Sequence, residues 1–156
     1  MGRGNSMEEV TVKNAMQVNR PEMGDMVPVG LFRLVRLVAF EEVLGEGASG
    51  LAFQAGEQLG KSLGLKSIED LVKTCEDLKI GIVKVSTIDE KNIHVDVHEC
   101  VTCSGLTPVG RPLCFFEGGM IKGAASTILN RKVEVKEVTC IGGLGDETCG
   151  FNIHIL

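Results

Sequence analysis

Two cysteines near the end of the chain, Cys140 and Cys149, stand on either side of a glycine-rich turn in the stretch EVTCIGGLGDETCGF. Such a pair can be a disulfide, two inert core residues or half of a metal site. The chain begins MGRGNSMEEV without an apolar export signal, so we expect a reducing compartment in which thiols stay free or bind metal. With the period of a strand, Cys149 falls in line with Phe151 and faces the core.

Glu137 lies just before this turn, on a strand whose inward face is otherwise apolar. A carboxylate on such a face is unfavourable unless something pairs with it. Cys140 has the opposite parity to that face, so the strand must end or bulge near Val138 if Cys140 is to join the same site.

A third sulfur is available from Cys114, in the first turn of a helix that we expect to begin at Pro112. A helix N-terminus lowers the pKa of a thiol and favours the thiolate that metals need. A closed structural zinc site of three sulfurs and one oxygen would then consist of Cys114, Glu137, Cys140 and Cys149.

Two alternatives compete with this zinc site. Inert buried cysteines are common in small domains. A C-x-x-C motif, Cys100 and Cys103 in HECVTCSG, could instead complete an all-cysteine zinc site with Cys140 and Cys149, and this spacing is the more familiar zinc signal. The residues alone rank the two zinc sites about evenly.

The composition argues against some classes of partner. The chain of 156 residues has 16 basic and 21 acidic side chains, a net charge of −5, and its aromatic residues are 4% of the total and all phenylalanine. An acidic chain with few stacking residues is a poor nucleic-acid binder. The apolar run VPVGLFRLVRLVAF is interrupted by Arg33 and Arg36 and is too short to span a membrane. We therefore expect a cytoplasmic protein without nucleic-acid or membrane partners.

The helical patterns lie in the first half of the chain. Residues 1–27 lack a sustained period and are expected to be a partly ordered extension, followed by one domain over 28–156. A first helix over 30–44 is apolar on most sides, with Arg33 and Arg36 in its narrow polar stripe, which indicates cover by the domain or by a second copy in a homodimer. A glycine-rich second helix follows over 48–63, and Ser67 caps a third.

The period then changes to that of strands. IVKVSTI and NIHVDVH form one expected hairpin, and KVEVKEV and TCGFNIHI form another, with the Pro112 helix between them. The order is ααα-ββ-α-ββ. Antiparallel hairpins after a group of helices predict an α+β fold with a sheet of about four strands.

From residue 30 to the end, the sequence resembles the 4-vinyl reductase domain family. The resemblance rests on the glycine- and alanine-rich second helix and on PLCFFEGGMIKGAAS and KVEVKEVTCIGGLGDETCGFNI. It implies a fold shared with subunits of the TRAPP tethering complex, with the sensor domains of aromatic-responsive activators and with haem nitric-oxide sensors. The metal ligands known in those activators fall on Cys114, Glu137, Cys140 and Cys149, which favours this set over one that includes Cys100 and Cys103.

The resemblance also implies a function. Members of the family are small-molecule-binding domains, often regulatory and often dimeric through their N-terminal helices. We therefore expect a sensor-type domain with structural zinc and a small hydrophobic or aromatic ligand, with a binding role rather than an enzymatic one. The apolar side chains expected to line its pocket are Phe53, Phe115 and Phe116. The alternatives are a redox or metal-dependent enzyme, or an accessory to one, that uses Cys100 and Cys103, and a dimeric scaffold without a ligand.

Overall fold

The computed structural model describes residues 10–156 and has the expected α+β class. Its helices are α1 (Val12–Ala15), α2 (Val29–Arg33), α3 (Phe40–Leu44), α4 (Ala48–Ser62), α5 (Ile68–Asp77), α6 (Phe115–Leu129) and α7 (Ile141–Leu144). Its strands are β1 (Ile82–Thr87), β2 (Asn92–His98), β3 (Val133–Thr139) and β4 (Cys149–Ile155). The order of the long elements is the predicted one.

The four strands form one antiparallel sheet in the order β1-β2-β4-β3. A register shift between Glu137 and Thr139 confirms the bulge expected near Val138. The apolar residues of β2 and β4 alternate onto the inner face, where Val95, Val97, Phe151 and Ile153 are buried. Helices α5 and α6 cover this face, and the core lies between them and the sheet.

Helix α4 packs against α6 at a very short distance because both helices present glycine at the crossing. A Cβ atom at Gly56 would overlap the carbonyl oxygen of Phe116, and one at Gly119 would overlap that of Phe53. Gly60 and Gly123 make equivalent contacts. The close approach of a second backbone, indicated by the spacing of Gly56 and Gly60, is therefore to α6.

The helical segment 29–44 consists of α2, a π-helical stretch at Leu34–Ala39, and α3. A π-helical stretch is rare and often lies at a functional site. Several of its apolar side chains are exposed, among them Leu31, Leu34, Val38 and Val43. None of the helices within residues 10–156 is long and apolar enough to cross a membrane.

Three local expectations differ from the structure or extend beyond it. Helix α6 begins at Phe115 and not at Pro112, so Cys114 is its N-cap rather than part of its first turn. The glycine-rich turn contains the short helix α7. Of the extension predicted over 1–27, residues 1–9 lie outside the described part and α1 lies within the rest, so its boundary stays a prediction.

Candidate metal centre and adjoining grooves

Five cysteines from four parts of the chain meet in one buried cluster. Cys100 and Cys103 lie on the loop after β2, Cys114 precedes α6, Cys140 follows β3, and Cys149 begins β4. All five side chains are 0% exposed, and all five are free thiols. We call this group, together with Glu137, the cysteine cluster.

The sulfur–sulfur distances in this cluster are those of a metal site. Cys114 Sγ lies 3.6 Å from Cys149 Sγ and 3.9 Å from Cys140 Sγ. Cys103 Sγ lies 3.4 Å from Cys114 Sγ and 3.2 Å from Cys149 Sγ. A tetrahedral site with metal–sulfur bonds of about 2.3 Å has sulfur–sulfur edges of about 3.8 Å. The separations are too long for a disulfide, whose sulfurs lie about 2.05 Å apart.

Glu137 lies beside the sulfurs on the bulged end of β3 and is half-buried. Its Oε2 accepts a hydrogen bond of 3.0 Å from the Cys114 N–H, whereas its buried Oε1 has no hydrogen-bond partner. Desolvation raises the pKa of this carboxyl to about 9. A buried oxygen without a partner is unfavourable, and either a proton or a cation would remove that cost.

The thiols of the cluster also influence each other's ionisation. Contacts with Cys103 and then Cys114 lower the pKa of Cys100, whereas contacts with Cys100 and then Cys103 raise the pKa of Cys114. Once one buried thiol ionises, its negative charge opposes ionisation of the next. A divalent cation would reverse this effect, because it stabilises every thiolate that it binds.

The C-x-x-C loop is held from outside by two arginines of segment 29–44. Arg33 Nε donates to the carbonyl oxygen of Val101 at 2.8 Å, and its Nη2 donates to that of Ser104 at 2.9 Å. Arg36 Nη1 donates to Thr102 Oγ1 at 2.5 Å. The polar stripe seen in the sequence therefore fastens the first helical segment to the loop that carries Cys100 and Cys103.

A buried ion pair continues from this loop into α6. Glu117 is 2% exposed, and its Oε1 lies 2.8 Å from Arg36 Nη1 and accepts a hydrogen bond of 2.5 Å from Thr102. The Arg36 guanidinium also lies about 5 Å from the ring centroids of Phe32 and Phe116. The sequence analysis did not identify Glu117, although a single acid in the apolar stretch CFFEGGMI was the available signal.

The three phenylalanines predicted to line one pocket are divided between two grooves. Phe115 and Phe116 line a groove of about 510 Å³ between segment 29–44 and α4, with Phe32, Phe40 and Ala52. We call this the helix groove. Phe53 and Phe115 line a smaller cleft of about 360 Å³ that reaches Cys114 and Glu137. We call this the cluster cleft. Phe115 borders both, and Phe53 and Phe116 do not share a groove.

The fold and the buried cysteine cluster define a small α+β domain. Residues 93–155 match the family model of the 4-vinyl reductase domain. The uncharacterized protein MJ1642 of Methanocaldococcus jannaschii is 31% identical over 135 residues, which cover 86% of this chain and 82% of that protein. The chain therefore belongs to the 4-vinyl reductase domain family, as the resemblance predicted.

Solved structures share the fold. A vinyl-4-reductase family protein from Methanocaldococcus jannaschii superposes with a TM-score of 0.69 at 23% identity, over 86% of this chain and 85% of that one. The phenol-responsive sensory domain of the transcription activator PoxR, solved with phenol, has a TM-score of 0.67 at 15% identity, over 85% and 76%. A trafficking protein particle complex subunit 3 from Naegleria fowleri, covalently bound to palmitic acid, has a TM-score of 0.59 at 14% identity, over 82% and 95%.

The structure also places the C-x-x-C motif. Cys100 and Cys103 lie in the same cluster as the other three cysteines, so the two zinc sites weighed from the sequence are neighbours rather than separate places. Two groups of four side chains have ligand atoms within 4.8 Å of one another: Cys100, Cys103, Cys114 and Cys149, and Cys114, Glu137, Cys140 and Cys149. The second group is the one predicted from the resemblance.

Proposed function

We propose that this protein is a small-molecule-binding regulatory domain of the sensor type, with structural zinc and a small hydrophobic or aromatic ligand. The observation that carries the proposal is the helix groove. Its volume of about 510 Å³ and its lining of aromatic and aliphatic side chains fit a molecule of that size and polarity. The shared fold with a phenol-responsive sensory domain supports the same class of function.

The helix groove is also placed to influence the rest of the molecule. Segment 29–44 forms one of its walls, and the same segment holds the C-x-x-C loop through Arg33 and Arg36. A ligand that binds better to one position of this segment would shift the population toward that position. The ligand signal would then reach both the cysteine cluster and the exposed face of the segment.

For the zinc ion we propose the ligands Cys114, Glu137, Cys140 and Cys149. They come from the start of α6, the end of β3 and the start of β4, so one ion would join the last helix to the closing hairpin. Such a closed four-ligand site contributes directly to folding stability. The free Glu137 Oε1 supports this set because coordination would give it a partner.

For the assembly we propose a homodimer formed through segment 29–44. Leu31, Leu34 and Val38 are each more than half exposed on its outer side. A second copy would bury the same apolar patch against itself in a two-fold arrangement. The redox alternative is not favoured, because Cys100 and Cys103 are fully buried and catalytic thiols are usually partly exposed.

Saturation-transfer NMR with a panel of small aromatic and aliphatic molecules, phenol included, tests the ligand proposal. We expect binding by aromatic members of the panel. Ala52→Trp fills the helix groove and should abolish binding, whereas Gln54→Trp, on the exposed side of the same helix, should leave it unchanged. A panel without any binder would favour the scaffold alternative. Binding that survives Ala52→Trp and is lost in Phe53→Ala would place the ligand in the cluster cleft.

A further inference from the structure

The cysteine cluster contains more ligand groups than one tetrahedral ion can use. Six buried or half-buried donors surround it, five sulfurs and the Glu137 carboxylate, and a structural zinc ion takes four. After one ion has bound Cys114, Glu137, Cys140 and Cys149, two fully buried thiols of the C-x-x-C motif remain beside it. The two groups of four share Cys114 and Cys149.

This sharing has the pattern of a binuclear centre. Two tetrahedra with a common edge need six ligands, two of which bridge both ions, and the two groups contain six different residues with two in common. The shared edge, from Cys114 Sγ to Cys149 Sγ, measures 3.6 Å, close to the edge of about 3.8 Å in a tetrahedral thiolate site.

We propose that the cluster binds two divalent cations bridged by the thiolates of Cys114 and Cys149. The proposal rests on the zinc site proposed above and adds a second ion to it. Glu137 and Cys140 complete the first ion's ligands, and Cys100 and Cys103 complete those of the second. A borderline-soft cation such as Zn²⁺ or Cd²⁺ suits this set of donors.

The second group has the geometry that this proposal requires. Cys114 Sγ lies 3.5 Å from Cys100 Sγ, and Cys103 Sγ lies 3.2 Å from Cys149 Sγ. The backbone around the motif is tightly turned, because the N–H groups of Cys103 and Ser104 both donate to the Cys100 carbonyl oxygen. This turn directs both thiols of the motif toward the shared pair.

Charge also favours a second cation. Five thiolates and one carboxylate carry six negative charges, so one divalent ion would leave four of them uncompensated or force the spare groups to keep their protons. Two divalent ions reduce the excess to two. Buried charge is costly unless it is paired, so each added cation stabilises the ionised form of the cluster.

A single-ion arrangement competes with this proposal. Cys103, Cys114, Cys140 and Cys149 have five sulfur–sulfur distances between 3.2 and 3.9 Å, which suits one four-thiolate ion. In the binuclear arrangement Cys103 and Cys140 bind different ions, and their sulfurs must separate from 3.9 Å to about 5–6 Å, since that is the spacing across a shared tetrahedral edge.

Native mass spectrometry of the full chain, loaded with Zn²⁺ or Cd²⁺ under reducing conditions, separates these arrangements. We expect two ions per chain. The double variant Cys100→Ser/Cys103→Ser should retain one ion, and Glu137→Gln/Cys140→Ser should also retain one. Cys75→Ala removes the cysteine outside the cluster and should retain two.

A second measurement on the unmodified protein does not depend on whether the variants fold. Loaded with Co²⁺, two ions that share thiolate bridges should couple magnetically, so the electron paramagnetic resonance signal should fall per ion as the second equivalent binds. A signal that grows in proportion to one equivalent and then stops would overturn the proposal. One ion per chain, unaffected by Cys100→Ser/Cys103→Ser, would also overturn it while leaving the single zinc site intact. No bound ion in any loading experiment would overturn both.

Discussion

Arg36 and Glu117 are 81 residues apart in the chain, yet Arg36 Nη1 lies 2.8 Å from Glu117 Oε1 in a nearly dry environment. Glu117 is 2% exposed, and its other oxygen, Oε2, is buried without a hydrogen-bond partner. The pair joins segment 29–44 to α6, and Thr102 between them adds the C-x-x-C loop. The helix groove and the cysteine cluster are thus linked through one buried ion pair.

Arg36→Met should destabilise the protein by about 3–5 kcal/mol, because it leaves a buried carboxylate without its cation. Chemical denaturation monitored by circular dichroism measures the change. The matched control is Arg36→Met/Glu117→Met, which removes both charges and should recover most of the loss. Equal destabilisation in the single and double variants would show that the pair contributes only packing.

Gly119→Ala should destabilise the protein by about 3 kcal/mol or more, because its Cβ would overlap the Phe53 carbonyl oxygen and force α4 and α6 apart. Gly50→Ala is the control in α4, since nothing lies within 4 Å of the added Cβ. It should be neutral or stabilise by up to about 1 kcal/mol. Equal melting temperatures for the two variants would contradict the close crossing.

Cys149→Ser should lose bound metal and lower the melting temperature by about 10 °C or more. It removes a ligand common to both groups of the cluster, and a structural site contributes several kcal/mol at roughly 2–4 °C each. Adding a chelator to the wild type should have a similar effect. Glu137→Gln should weaken the site less, because the thiolates remain. Metal content and thermal melting test this; wild-type protein that melts normally without metal would leave only the interpretation of inert core cysteines.

Cys75 should make stability fall at alkaline pH. Desolvation, followed by the charges of Glu117 and Glu76, raises the pKa of its thiol to about 12. The unfolded chain ionises this thiol near its ordinary pKa, so the stability that the neutral thiol contributes is complete below that pH and is lost as the pH rises toward 12. Denaturation from about pH 8 to 11 should show a smaller fall for Cys75→Ala. Parallel curves would contradict the shift.

The double variant Leu34→Glu/Val38→Glu should convert the proposed homodimer to a monomer, because it places like charges on the apolar patch that the two copies would share. Light scattering at micromolar concentration gives the mass. Ile88→Glu is the control, since Ile88 is equally exposed but lies at the tip of the β1–β2 hairpin. A wild-type monomer at this concentration would refute the dimer itself.

The sequence alone determined the order of the elements and the faces of the strands. Hydrophobic period separates helices from strands within a short window, so α4, β2 and β4 could be predicted from local residues. The opposite parity of Glu137 and Cys140 predicted the bulge in β3, which the structure confirms. The family was also readable, because its motifs are contiguous stretches of sequence.

Only the tertiary structure decided which side chains meet. It brought Cys100 and Cys103 to Cys114 and Cys149, paired Arg36 with Glu117, and separated Phe53 from Phe116. Period reports which face a residue occupies but not which distant element covers that face. That partner is set by helix crossings and loop paths, here by the glycine contact of α4 with α6 and by the loop that Arg33 and Arg36 hold in place.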